Sequence, residues 1–152
     1  MWNQHAPERR IWRVPYWGTE APQSSPAATT ALASLAARFR TALGDTYAFA
    51  VRHRCDGFVT SFAKAIETLD SRGEKGHGYH RDLAPDGCLP ALATCLLDAS
   101  QSAWVFGGMG SWNDMAFDGG AQIECDRVSE QLFPAVCDAI EAAANDSCAG
   151  DG

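Results

Sequence analysis

The chain has 152 residues, of which 46% are hydrophobic and 20% are charged, a composition typical of one soluble globular domain. Its net charge of −7 opposes nucleic-acid binding, because phosphates demand a basic surface. No apolar run approaches the ~20 residues of a membrane-spanning helix, and no charged start leads into the apolar run of a secretory signal. We therefore expect a cytoplasmic protein with no nucleic-acid and no membrane partner.

The N-terminal part predicts an arm followed by one helix. Residues 1–25 are irregular or contain a short strand, and their tryptophans suggest that the arm packs on the body. A first helix is predicted over residues 26–43, because apolar residues repeat at helical spacing and Gly44 follows as a C-cap. Residues 46–51 fit either a short strand or a helix start.

The middle of the chain predicts two more helices. Asp56 is a suitable N-cap for a second helix that ends near Ser71. A polar loop at 73–87 follows, and Pro90 suits the first turn of a third helix. The apolar pattern carries this third helix into the glycines at 107 and 108.

A fourth helix is predicted over residues 122–144, and Pro134 inside it predicts a kink. Its apolar stripe consists of Cys125, Val128, Leu132, Val136, Ile140 and Ala143. The tail at 147–152 should fray. The predicted fold is mostly α, with a four-helix core in a single helical domain at 26–146.

Charged residues and cysteines are distributed unevenly. Before residue 55, seven arginines accompany three acidic residues, whereas nine acidic residues accompany only Arg127 from residue 114 onward. The acidic C-terminal face suits a basic protein partner or simply keeps the protein soluble. Six cysteines occur without a C-x-x-C pair, and we expect reduced thiols. Three of them fit as small buried apolar residues within helices: Cys95, Cys125 and Cys137.

The least generic stretch is 103–118, in which large apolar residues surround three glycines and short polar residues follow. Glycine readily adopts positive φ, and Asn and Asp bond neighbouring backbone groups in turns and caps. The stretch therefore predicts a tightly folded corner between the last two helices, shaped by Gly107, Gly108 and Gly110.

The corner matches no phosphate-binding or catalytic motif. In a Walker loop, lysine and then serine or threonine follow the last glycine, but here Ser111 and Trp112 follow Gly110. The dinucleotide fingerprint needs glycine or alanine at position 113, which is Asn113. Ser111 does not lie in the Gly-x-Ser-x-Gly motif of a nucleophile elbow. As a nucleophile it would also need a general base, for which His77 and His80 are the candidates. The sequence predicts a turn or cap role for Ser111, no catalytic residue and no cofactor.

Two sets of polar residues invite a functional interpretation. Four zinc-type ligands lie in or beside the polar loop: His77, His80, Asp82 and Cys88. Their spacing fits no standard motif, so no metal site is predicted. Asp114 and Asp118, one helical turn apart, form either a carboxylate pair or, as we expect, caps of the last helix.

Trp112 has two interpretations that the sequence leaves open. If Trp104 and Phe106 already fill the core, Trp112 is an interface anchor, because tryptophan is enriched at binding hot spots. Otherwise it closes the core as a lid.

The run WVFGGMGSWNDM at 104–115, followed by CDRVSEQLF and the alanine-rich 139–145, resembles a group of small bacterial cytosolic proteins with a GMGSWND corner before a terminal amphipathic helix. The loop GYHRDLAPDG at 78–87 is similar as well, and the resemblance covers residues 77–145. It implies an immunity protein of a bacterial toxin system and supplies no catalytic residue.

We therefore expect a non-enzymatic, immunity- or antitoxin-like module that occludes a toxin, with a basic toxin domain as the partner favoured by the acidic face. The predicted partner-binding residues are Tyr79, His80, Asp82, Trp112, Asn113, Asp114 and Asp118. The alternative is a small enzyme or ligand-binding domain with its pocket at the corner, residues 107–118.

Overall fold

The computed structural model describes residues 28–72 and 89–146, with side chains for 32–72 and 89–145. Four helices form the described part, and a short 3-10 turn, Trp112–Asp114, lies before the last of them. The helices are α1 (Ala28–Arg52), α2 (Asp56–Asp70), α3 (Ala91–Ala103) and α4 (Gly120–Asp146). The predicted mostly α, four-helix core is confirmed. The predictions for the arm, the loop at 73–87 and the tail lie outside the described residues.

The core lies among the four helices. α1 packs against α2 and α4, and α3 packs against the same two helices. Its largest buried apolar side chains are Trp112, Phe39, Phe49, Phe62, Leu43, Leu96 and Leu132. None of the described helices combines the length and the apolar character that a membrane crossing requires.

The predicted end of the first helix at Gly44 is wrong, because α1 continues for eight residues beyond it. Residues 46–51, which the sequence left as strand or helix, belong to α1. Leu43, Thr46 and Phe49 are fully buried at helical spacing, and Thr46 Oγ1 donates to the Ala42 carbonyl (2.8 Å). The burial of this face outweighs the ~1 kcal/mol that a helical glycine costs.

α1 ends in a Schellman motif in which an arginine stands where glycine is usual. The Cys55 N–H donates to the Ala50 carbonyl (2.9 Å), and the Arg54 N–H donates to the Val51 carbonyl (3.3 Å). Arg54 has a φ of +57°, a left-handed conformation that costs an L-residue about 1–2 kcal/mol. The turn between α1 and α2 is therefore strained, and so is the chain after α2, where Arg72 has a φ of +51°.

We expect Arg54→Gly to raise the free energy of unfolding by about 0.5–1 kcal/mol, because glycine adopts this φ without steric cost. Urea denaturation followed by circular dichroism measures the change. Ala48→Gly, at an exposed position inside α1, is the matched control and should lower stability by about 1 kcal/mol. A loss of stability in both variants would contradict the assignment of strain to Arg54.

Three arginines of α1 pair with acidic residues on its two neighbours. Arg38 bonds Asp138 of α4 (2.6 Å), and Arg40 binds both carboxylate oxygens of Asp70 at the end of α2 (2.7 and 3.0 Å). The hydrogen bond from Arg40 holds the pKa of Asp70 below its usual range. A third pair joins Arg52 to Glu124 of α4 (2.7 Å). Three of the arginines that precede residue 55 are thus paired with acidic residues of α2 and α4 within the fold.

The observed starts of α2 and α4 differ from the predictions by one or two residues, and the end of α3 differs by more. α2 begins at Asp56, one residue before the prediction, and α4 begins at Gly120, two residues before it. The prediction that α3 reaches the glycines is wrong, because the helix ends at Ala103 and Trp104 turns to a ψ of +87°. After this early end Trp104 is half-exposed, whereas Val105 and Phe106 pack against the edge of the core. The kink at Pro134 stays a prediction.

Candidate functional site

The corner between α3 and α4 is built on three left-handed glycines, as predicted. Gly107, Gly108 and Gly110 have φ values of +83°, +87° and +76°, which L-residues other than Asn and Asp rarely adopt. The Trp112 N–H donates to the Val105 carbonyl (2.9 Å) and closes the loop. The chain therefore leaves α3, turns over the three glycines and returns to the end of the same helix.

Asp114 stabilises this loop with its carboxylate. Its Oδ2 accepts from the N–H groups of Gly110 (2.6 Å) and Ser111 (3.1 Å). The expectation that Asp114 caps the last helix is wrong, because its carboxylate bonds backbone N–H groups of the corner. Residues 115–118, which separate Asp114 from α4, are not helical. Asp118 contributes its carbonyl, which accepts from the Ala121 N–H (3.2 Å). Both aspartates and Asn113 have exposed side chains.

Trp112 lies in the core. It is 2% exposed and makes edge-to-face contacts with Phe49 of α1 and with Phe58 and Phe62 of α2, at ring-centroid distances of 5.2–6.0 Å. Its indole N–H donates to Ser129 Oγ of α4 (2.7 Å). One side chain therefore joins the corner to three helices. In this structure Trp112 is the lid of the core and offers no surface to a partner.

The premise that Trp104 and Phe106 fill the core is wrong for Trp104, whereas Phe106 packs against the core from a half-buried position. Trp104 is 47% exposed, Phe106 is half-buried, and both contact Phe133 of α4, which is 45% exposed. The ring centroids are 6.5 Å apart for Trp104–Phe106, 6.1 Å for Trp104–Phe133 and 5.1 Å for Phe106–Phe133. We call these three residues the aromatic triad. They form an apolar surface beside the corner, with the fully exposed Met109 at the tip of the glycine loop.

The predicted core stripe of α4 also needs one correction. Ile140 is 37% exposed, whereas its neighbour Ala139 is fully buried. Phe133 and Ile140 are seven residues apart and therefore lie on one face, two helical turns from each other. One signal in the sequence indicates this second apolar face. Phe133 is a large apolar residue of α4, but its position does not continue the helical spacing of the buried residues Val128, Leu132 and Val136.

Acidic residues lie on the same outer face of α4. Asp126, Glu130 and Glu141 are exposed, and within the described residues none of them forms an ion pair. Asp126 accepts a hydrogen bond from Gln122 (2.8 Å). We call these three residues the acidic stripe. It differs from Glu124 and Asp138, which face α1 and are paired with its arginines.

The alternative site at residues 107–118 stays a prediction. Three cavities of the described part, of about 310–630 Å³, are lined by residues of the four helices and by Ser71 and Trp104, and none of residues 107–118 lines these three. Ser111 is the N-cap residue of the 3-10 turn, where its side chain and that of Asp114 form a capping box, in agreement with the predicted cap role of Ser111. His77, His80 and Tyr79, like Asp82 and Cys88, lie outside the described residues. Among the residues that are described, no cluster of three metal ligands occurs.

Cys95 and Cys125 are buried in the core as predicted, and neither forms a disulfide with a described residue. Cys137, predicted to be buried, is half-buried. Burial raises the pKa of Cys125, as it does that of Cys55 at the start of α2. Both thiols are therefore held in the protonated, unreactive form.

The fold and this surface define a small all-α protein with an exposed aromatic surface and, on the same helix as Phe133, three carboxylates that form no ion pair with the described residues. The chain matches no protein-family model, and neither a curated protein nor a solved structure is significantly similar to it.

Proposed function

We propose that this chain is a protein-binding module of the immunity or antitoxin kind, which neutralises a toxin by covering part of its surface. The observation that carries the proposal is the aromatic triad of Trp104, Phe106 and Phe133. Large aromatic side chains that remain exposed together are characteristic of interaction sites, and tryptophan is enriched among the residues that dominate binding energy.

The acidic stripe supports a basic partner. Asp126, Glu130 and Glu141 share the outer face of α4 with Phe133, and no arginine of the described part neutralises them. Free carboxylates around an apolar centre steer a basic partner to the surface and raise the association rate. The net charge of −7 also disfavours association between two copies of the chain.

The binding surface therefore differs from the one predicted from sequence. The triad and the stripe replace Trp112, whose side chain is buried. Asn113, Asp114 and Asp118 remain exposed near the corner, where they would lie at the rim of such an interface. Tyr79, His80 and Asp82 stay a prediction.

The test is co-expression of the chain with the product of each adjacent gene, followed by affinity capture and growth rescue. We expect one product to be toxic alone, to be neutralised by the chain and to form a stoichiometric complex with it. In the double variant Trp104→Ala/Phe133→Ala we expect at least about thirtyfold weaker binding and loss of rescue, because truncating a hot-spot residue costs about 2 kcal/mol or more.

Val51→Ala is the matched control, because Val51 is a 49% exposed apolar residue on α1, away from the triad. It should leave capture and rescue unchanged, and circular dichroism should show equal helix content in all variants. Rescue by the double variant at the level of the parent chain would contradict the proposal. So would self-association that the double variant abolishes, since the triad would then bind a second copy.

A further inference from the structure

The aromatic triad and two carboxylates of the acidic stripe form one continuous surface. Glu130 lies three residues before Phe133 and Asp126 lies seven residues before it, so the three side chains share one face of α4 within two turns. Neither carboxylate forms an ion pair with a described residue. Within the described part, Trp104 and Phe133 are 47% and 45% exposed. The surface therefore suits a segment that carries both large apolar side chains and cations.

The N-terminal arm, residues 1–25, contains a segment of this composition. Residues 9–17 have the sequence RRIWRVPYW, with three arginines, two tryptophans, one tyrosine and no acidic residue. We call residues 9–17 the basic aromatic segment. Tryptophan, tyrosine and arginine are the residues that dominate binding energy at interfaces. The chain thus contains the same chemistry that the surface would select in a basic partner.

The arm is long enough to bring this segment to the triad. The Arg38–Asp138 pair places the antiparallel helices α1 and α4 side by side. Ala28, where α1 begins, lies ten residues before Arg38, and Phe133 lies five residues before Asp138, so the two are about 22 Å apart along the helices. Eleven residues join Trp17 to Ala28 and span up to about 36 Å. This length suffices even when the chain also crosses the ~10–12 Å width of α4.

The cavities beside α1 are less suitable for a basic segment. One lies between α1 and α4 and contains Arg38 and Asp138, and another lies between α1 and α2 and contains Arg40 and Asp70. In each cavity the arginine already pairs with that carboxylate, at 2.6–3.0 Å. The acidic stripe has no such arginine within the described residues. Charge complementarity therefore favours the triad as the place where the segment docks.

We propose that the basic aromatic segment docks on the aromatic triad of the same chain and covers it until a partner displaces the arm. Its apolar side chains contact Trp104 and Phe133, and its arginines lie near Asp126 and Glu130. The arm then acts as an intramolecular competitor of the partner. This regulation rests on the proposed function, whereas the docking of the arm is a property of the isolated chain.

Trypsin cleavage after the arginines of the basic aromatic segment measures whether the arm is docked. The intact isolated chain is used, and mass spectrometry gives the initial rate of cleavage at each bond. We expect at least fivefold faster cleavage of the arm in Trp104→Ala/Phe133→Ala than in the parent chain, because an undocked segment is open to the protease. Cleavage after Arg127, inside α4, requires unfolding of that helix and should stay much slower than arm cleavage in every variant.

The charge contact is tested by Asp126→Asn/Glu130→Gln, which leaves the triad intact. Arm cleavage should be about threefold faster than in the parent chain at low salt, and the difference should shrink at high salt because the charges are screened. The matched controls are Val51→Ala for the triad variant and Asp45→Asn for the charge variant. Both change exposed positions of α1 and should leave arm cleavage unchanged.

Equal arm cleavage in the parent chain and in both variants, whether fast or slow, would overturn the proposal. So would parent cleavage that becomes faster on dilution, since the arm would then dock on a second copy. With a captured partner, Arg10→Ser/Trp12→Ser should bind about tenfold more tightly than the parent chain, because the competing segment is weakened, and unchanged binding would remove the regulation. The cleavage assay needs no partner, so failure of capture and rescue would remove the proposed function and leave the docking of the arm in place.

Discussion

Trp112→Ala is expected to lower the free energy of unfolding by about 3–5 kcal/mol, the usual cost of removing a large buried aromatic side chain. The indole contacts α1 and α2 and bonds Ser129 of α4, so the truncation leaves a cavity where three helices meet. A loss of this size is a large part of the 5–15 kcal/mol that stabilises a typical domain. Urea denaturation followed by circular dichroism gives the value.

Trp104→Ala is the matched control, since it removes the same side chain eight residues earlier from a half-exposed position. It should cost no more than about 1–2 kcal/mol. Trp112→Phe should fall between the two alanine variants, because it retains most of the ring contacts and loses the hydrogen bond to Ser129. Equal losses in Trp112→Ala and Trp104→Ala would contradict the burial described for Trp112.

The double variant Gly107→Ala/Gly108→Ala is expected to lower stability by about 2–4 kcal/mol. Both residues have φ values above +80°, and each left-handed L-residue costs about 1–2 kcal/mol. A Cβ built at either position meets no atom within 4 Å, so the loss comes from the backbone conformation and not from a clash. Thermal and urea unfolding of the purified variant provide the measurement.

Two further variants separate backbone strain from a general loss of glycine. Gly107→Asn/Gly108→Asn should cost less than the alanine pair, because asparagine tolerates positive φ better. Gly57→Ala lies in the first turn of α2, where an added Cβ is also free of contacts and φ is not positive. It should be neutral or slightly stabilising. A stable alanine pair would show that the corner can adopt another conformation.

Periodicity and glycine placement predicted the four helices and the corner, because both signals are local. The stripe through Leu32, Phe39 and Leu43 and the run of glycines at 107–110 need no knowledge of the rest of the chain. Gly44 misled the prediction for the same reason. A local stop signal was outweighed by the burial of Thr46 and Phe49 against other helices, which a local pattern does not report.

The candidate surface could not be predicted in the same way. Which of Trp104 and Trp112 enters the core depends on the direction of the chain after α3, and that direction follows from the turn at Trp104 itself. The cavity between the ends of α3 and α4 depends on the proximity of Trp104 and Ile140, which are 36 residues apart in the chain. Exposure of an apolar side chain is a property of the packed helices. The sequence neighbours even point the wrong way, because Trp104 stands among apolar residues and is half-exposed, whereas Trp112 stands among polar residues and is buried.

The two ion pairs between α1 and α4 are equally spaced along the two antiparallel helices. Arg38 and Arg52 are 14 residues apart, and so are their partners, Glu124 and Asp138, in reverse order. The pairs are therefore about 21 Å apart along both helices. Sliding α4 by a single turn relative to α1 would break both pairs at once. The two exposed pairs therefore favour one register of α4 on α1, each by no more than about 1 kcal/mol.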